Sequence, residues 1–137
     1  MALSQYLATA QLNWLRNTAM PTALGTLYIS IHTGDPGNSG TQNDVTVSVA
    51  SARASWNTAS NSSAPAAAPS SGYRFSNTAT ILLTNNAGAA ATLTHFGLWD
   101  AASGGNFLVA GLLDQVAAIE PGDTVQFNAD ALRVRFV

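Results

Sequence analysis

Residues 91–112 read ATLTHFGLWDAASGGNFLVAGL, and the alternation within them decides the fold. From Ala91 to Trp99 the side chains alternate with a period of two. Leu93, His95 and Trp99 fall on one face, and Phe96 and Leu98 on the other. Apolar groups on both faces predict a central strand covered on both sides. Asp100 to Gly105 is rich in turn formers, with Gly104-Gly105 as a hairpin turn, and Phe107 to Leu112 restarts a strand. Two long strands joined by a short polar loop describe an antiparallel hairpin, not a crossover through a helix.

The same period extends in both directions. Towards the C-terminus, Glu120-Pro121-Gly122-Asp123 forms a tight turn, because proline presets φ at its second position and glycine supplies positive φ at its third. Val125 and Phe127 make a short strand. Leu132, Val134 and Phe136 close the chain, with Arg133 and Arg135 on the opposite face. Towards the N-terminus, Ala79, Ile81 and Leu83 alternate with Thr80, Leu82 and Thr84 before a turn at Asn85-Asn86-Ala87-Gly88. Leu27, Ile29 and Ile31 alternate with Tyr28, Ser30 and His32, and Thr33 to Gly40 is a loop. Val45, Val47 and Val49 restart the alternation and carry it towards Arg53 and Trp56. Residues 57–72 hold Ala, Ser, Asn, Pro65 and Pro69 with no large aliphatic side chain. They read as a mobile surface loop or as an arm ordered by a partner.

The first segment is the one convincing helix. Ser4 suits the N-cap, Leu3 precedes it as a staple, and Leu7, Gln11, Trp14 and Leu15 follow at helical spacing. Arg16 suits the C-terminal end of the helix dipole, and Pro21 bars continuation. Leu7 and Trp14 either pin the helix on its own domain or pack against a neighbouring subunit. The fold expected is mainly β: an antiparallel β-sandwich or jelly roll of about seven or eight strands with one N-terminal helix. Residues 1–137 form a single domain, with a helical arm at 1–20 and a sandwich at 24–137 that carries a flexible Ala/Ser/Pro-rich loop at 57–72.

Composition narrows the function. Charged residues make up 9% of the chain, against about 25% in average soluble proteins, and there is no lysine. A polar, uncharged surface repels neighbouring copies weakly and suits a subunit packed in an assembly. A net charge of −2 with five scattered arginines argues against nucleic acid, which requires clustered positive charge. No stretch is apolar enough to span a membrane, and no basic N-terminal segment announces a secretory signal. With no cysteine, disulfides and thiolate metal sites are excluded.

Few groups could do chemistry. His32 ends a strand beside a loop containing Asp35, but no Gly-x-Ser-x-Gly elbow supplies a nucleophile. His32 and His95 lack metal-ligand spacing, and Asp35, Asn38 and Asn43 offer oxygen atoms without a calcium-loop pattern. His95 reads as a neutral imidazole bonded to backbone or to Asp100. No catalytic residue, metal ligand or cofactor site is expected, and the chain is read as a non-enzyme.

Thr94-His95-Phe96-Gly97-Leu98-Trp99-Asp100-Ala101-Ala102-Ser103-Gly104-Gly105-Asn106-Phe107-Leu108 resembles a motif of a family of small tailed-phage virion proteins, often labelled tail-fibre proteins. Leu27 to Gly37 (LYISIHTGDPG) and Gly122 to Phe127 (GDTVQF) are similar to two further family segments, in the same order. Around Val49 to Arg53 the chain departs from the family pattern and keeps only the arginine. The resemblance implies a virion structural protein made in the host bacterial cytoplasm. The first expectation is a capsid decoration, or cement, protein that binds the major capsid protein as a homotrimer or dimer and stabilises the shell. The alternative is a tail or tail-fibre component that binds host-surface glycans, with Trp56 and Tyr73 as an exposed sugar platform. Candidate interface residues are Tyr6, Trp14, Asp35, Pro36, Asn43, Arg53, Trp56, Pro65 and Pro69, with neither nucleic acid nor membrane as partner.

Overall fold

The computed structural model describes residues 3–58, 66–68 and 72–136. The chain is mainly β, with antiparallel sheets and an N-terminal helix. The elements run α1 (Gln5–Leu15), β1 (Thr26–His32), α2 (Thr46–Ala50), β2 (Ala54–Thr58), β3 (Ala66–Ala68), β4 (Gly72–Ser76), β5 (Ile81–Thr84), β6 (Ala91–Trp99), β7 (Phe107–Ile119), β8 (Thr124–Phe127) and β9 (Arg133–Phe136). They form a four-stranded sheet in the order β2-β1-β6-β7, a three-stranded sheet β3-β4-β9 and a pair β5-β8. The 91–112 hairpin lies at the centre: β6 pairs with β1 on one side and with β7 on the other.

One face of the four-stranded sheet makes the main core. Leu27, Ile29 and Ile31 of β1, Trp56 of β2, and Phe96 and Leu98 of β6 pack with Ile81 and Leu83 of β5, Phe127 of β8, and Leu132 and Val134 at β9. Each such buried side chain contributes about 1.5–3 kcal/mol relative to exposure, so this layered contact carries most of the stability. Two asparagines pin the loops around it. Asn77 donates to the carbonyls of Ala79 and Asn128 and accepts from Leu132 N–H. Asn85 does the same with Ala89, Ile119 and Ala87.

Several details depart from the alternation. Val45–Val49 is a turn of helix, not a strand: Asp44 Oδ1 accepts from Thr46 N–H at 2.8 Å, and Thr46 Oγ1 in turn accepts from Ile31 N–H at 2.9 Å. Helical spacing buries Val49 while leaving Val47 exposed, where a strand would have treated both alike. β6 does not keep one face throughout. Its pairing with β7 slips between Leu93 and His95, so Leu93, Phe96 and Leu98 all enter the main core while Trp99 joins a second cluster. β7 runs on to Ile119 past the exposed residues Asp114–Val116 of this bulge. Of the loop expected at 57–72, Asn57 and Thr58 belong to β2, residues 66–68 form β3 and Gly72 opens β4, while Pro65 and Pro69 lie outside the described residues.

Ser4 caps α1 as expected, its Oγ accepting from Leu7 N–H at 3.0 Å. Leu3 bridges to Val109 of β7, Ser4 N–H donates to Leu108 O, and Leu3 and Leu7 pack on the core. The helix stops well before Pro21. Asn17 takes a left-handed φ of 65°, and Thr18 N–H turns back to Asn13 O.

Candidate functional site

The outer face of the four-stranded sheet carries a second, smaller cluster at the end where the 33–44 loop, the 100–106 loop and the start of α1 meet. Trp99, Phe107 and Ala110 are buried here with Tyr28 packed against them, and the Trp99 and Phe107 rings lie 5.2 Å apart. The 100–106 loop is closed by Asp100, whose carboxylate accepts from Asn106 N–H at 2.6 Å and from Asn106 Nδ2 at 2.8 Å. Gly104 and Gly105 both take positive φ, as the hairpin reading required. Arg53 reaches across from the start of β2. Its guanidinium lies 3.6 Å over the Trp99 ring, and Nη1 donates to the carbonyls of Ala101 and Gly104. Burial lowers its pKa, opposed by the charges of Asp44 and Asp100.

The 33–44 loop folds over the other side of the cluster. Asp35 Oδ1 accepts from Gly37 N–H at 2.8 Å, and Asn43 Nδ2 donates to Asp35 O at 2.9 Å. Both bonds brace the turn, one through a carboxylate oxygen of Asp35 and the other through the amide nitrogen of Asn43. Gly40 sits at φ +73° with Phe107 and Trp99 where a Cβ would go, so only glycine lets the loop approach this closely. Gln5 N–H donates to Asn38 O and ties α1 to the same loop.

Between loop and sheet runs a buried chain of hydrogen bonds. Trp99 Nε1–H donates to Ser30 Oγ at 2.9 Å, which leaves the serine proton for His32 Nε2 at 2.7 Å. His32 Nδ1–H then donates to Gln42 O at 2.9 Å. The Gln42 carbonyl can only accept, which puts the proton of the neutral ring on Nδ1, so Nε2 accepts from the Ser30 hydroxyl while Trp99 donates to the same oxygen. Ser30 and His32 are fully buried. Burial lowers the His32 pKa, with His95 and Arg53 acting the same way and the Gln42 carbonyl and Asp44 opposing. The partner of His32 is therefore Ser30, not an acid of the Asp35 turn. The pair copies the contact of a hydrolase serine and histidine, but no side of it is open to a substrate. His95 bonds Thr94 Oγ1 at 2.8 Å, in place of the backbone or Asp100.

The structure thus gathers Tyr6, Asp35, Pro36, Asn43 and Arg53 at one end of the sheet. Tyr6 borders a shallow concavity of about 220 Å³ with Asn38, Ser39 and Asn106. Trp14 stands apart at the far end of α1, 61% exposed. Trp56 is fully buried against Phe96, with ring centroids 6.0 Å apart, and so belongs to the core and to no sugar platform. The expectation of an exposed Trp56 fails because β2 turns this side chain into the core. Sequence reasoning passed over Leu12, Leu15, Met20 and Leu24, which are exposed along α1 and the segment after it. The available signal was a helix, QYLATAQLNWL, without one charged residue. Among the described residues no group of three or more His, Asp or Glu side chains is placed to hold a metal ion, and no helix is long and apolar enough to cross a membrane.

The described residues thus form closed loops over an antiparallel sheet with an uncharged helix at one edge. Residues 2–135 match the sequence model of the family described as Podophage GP4 fiber I protein gp80, and the chain belongs to that family. It is a bacteriophage virion protein, and no curated protein matches it.

Proposed function

We propose that the chain is a non-catalytic building block of a phage fibre, fixed to the virion through its α1 arm and presenting the 33–44 and 100–106 loops outward. The family match over residues 2–135 carries this reading. Two features of the fold support it. The loop end is held rigid by Arg53, Gly40 and the Trp99–Ser30–His32 chain, which suits a surface that meets a partner without reordering. Its exposed rim, with Tyr6, Asn38, Ser39 and Asn106, offers one aromatic ring and several neutral hydrogen-bonding groups, which suit a neutral glycan of the host surface better than a charged ligand.

Capsid decoration is the second reading, favoured by the scarcity of charge. In that case the chain would coat the shell, bound to the major capsid protein. Gold labelling of virions with an antibody to this chain, together with its copy number per particle, separates the two. Label confined to the tail, at a copy number set by the tail's symmetry, supports the fibre. Label spread over the head, at a copy number set by the shell lattice, overturns it. A glycan array probed with the purified chain tests the loop end separately.

A further inference from the structure

We infer that α1 and residues 16–25 are the surface through which copies of this chain bind one another. α1 carries no charged residue, and its last turn exposes three large apolar side chains. Leu7, in its first turns, packs against the sandwich core, with Leu3 just before the helix. Leu12, Trp14 and Leu15 are 62%, 61% and 73% exposed, and Met20 and Leu24 continue the patch along the returning segment. Together these five side chains expose roughly 550 Å² around the end of α1, at about 200 Å² per large side chain. That is a large share of the roughly 800 Å² that each partner contributes to a stable interface.

The character of the patch selects its occupant. The same arm carries a ridge and a groove. The ridge is Leu12 and Leu15, three apart on one side of the helix, with Trp14 on the opposite side. The groove, about 460 Å³, lies between α1 and residues 18–21, and its walls are the small or uncharged Thr9, Ala10, Thr18, Ala19 and Pro21. Ridge and groove on one arm would let the ridge of one copy enter the groove of the next, a head-to-tail contact between identical chains. Arg16 is the sole ionised side chain in residues 3–25, so two arms can meet without burying an unpaired charge of either sign beyond it. The arm lacks the basic face of a membrane-surface helix and the clustered cations of a nucleic-acid site. This inference holds whether the protein resides on tail or head.

Analytical ultracentrifugation of the full chain over a range of concentrations tests it. Wild type is expected as a defined oligomer. Leu12→Glu/Leu15→Glu is expected to sediment as a monomer with an unchanged thermal midpoint for the sandwich, while Leu82→Glu, an exposed site on β5, keeps the oligomer. A wild type that stays monomeric throughout overturns the inference in favour of a different partner, as does a double variant that keeps the wild-type mass. If the double variant fails to fold, the cysteine-free background gives a second reading. A Leu15→Cys thiol should be alkylated slowly in concentrated protein and at the rate of a free thiol after dilution; fast alkylation at both concentrations overturns the inference.

Discussion

The three tryptophans mark two kinds of region. Trp56 and Trp99 are enclosed by their own chain: one stacks on Phe96 in the main core, and the other is roofed by Arg53, faced by Gly40 and bonded to Ser30. Trp14 is a side chain of the same type on a helix that touches little, and it stays 61% exposed. Around Trp99 every polar group of the Trp99–Ser30–His32 chain has a partner within the chain, so that end is finished on folding. Around Trp14 the apolar surface has no counterpart among the described residues. The difference separates residues that hold the fold from the surface proposed for self-association, and substitution should expose it.

The largest effect is expected at the core. Trp56→Ala should lower the unfolding free energy by about 3–5 kcal/mol in urea titration, the usual range for emptying a buried aromatic site. Gly40→Ala should follow at about 2–4 kcal/mol, because a left-handed φ and a clash with Phe107 and Trp99 act together. Ser30→Ala leaves the Trp99 Nε1–H and His32 Nε2 without partners and should lower stability by about 1–3 kcal/mol. The same titration in Trp56 or Ser30 variants that shows no loss would erase the contrast with the arm.

A smaller effect is tied to pH. The folded-state pKa of His32 is depressed below its ordinary value, so its contribution to stability is fully present above about pH 6.5. Stability is then lost as pH falls, because the unfolded chain takes up the proton first. Unfolding midpoints measured from neutral pH down to the carboxylate range should decline in wild type and decline less in His32→Gln. Smallest of all, Trp14→Ala should change the stability of the dilute monomer by less than about 0.5 kcal/mol, as for an ordinary surface position.

The sandwich was legible because its strands are short and alternate strictly. β1, β5, β6 and β9 stand where the period of two placed them, and Ser4 and the Glu120–Asp123 turn behave as their residue types require. Readings failed where a single side chain overrides the period. Asp44 and Thr46 nucleate a helical turn in a run of valines that reads as a strand, and one register slip between β6 and β7 leaves Phe96 and Leu98 in the same core as Leu93. Gly72–Ser76 escaped notice as a strand because it follows the proline-rich stretch. The site was half legible. Arg53 and the 33–44 loop were picked out, but not that they converge on Trp99, because that contact joins residues far apart in the sequence. The arm was legible as a capped helix with Trp14 picked out on it, but the exposure of Leu12, Met20 and Leu24 was not, because it depends on how little of the sandwich the helix touches.

The most direct test of this division of labour uses the virion itself. Phage whose copy of this chain carries Leu12→Glu/Leu15→Glu should assemble particles that lack it, with the folded variant left soluble in the lysate, as quantified by mass spectrometry of purified virions. Incorporation of the double variant at the wild-type level would contradict the account.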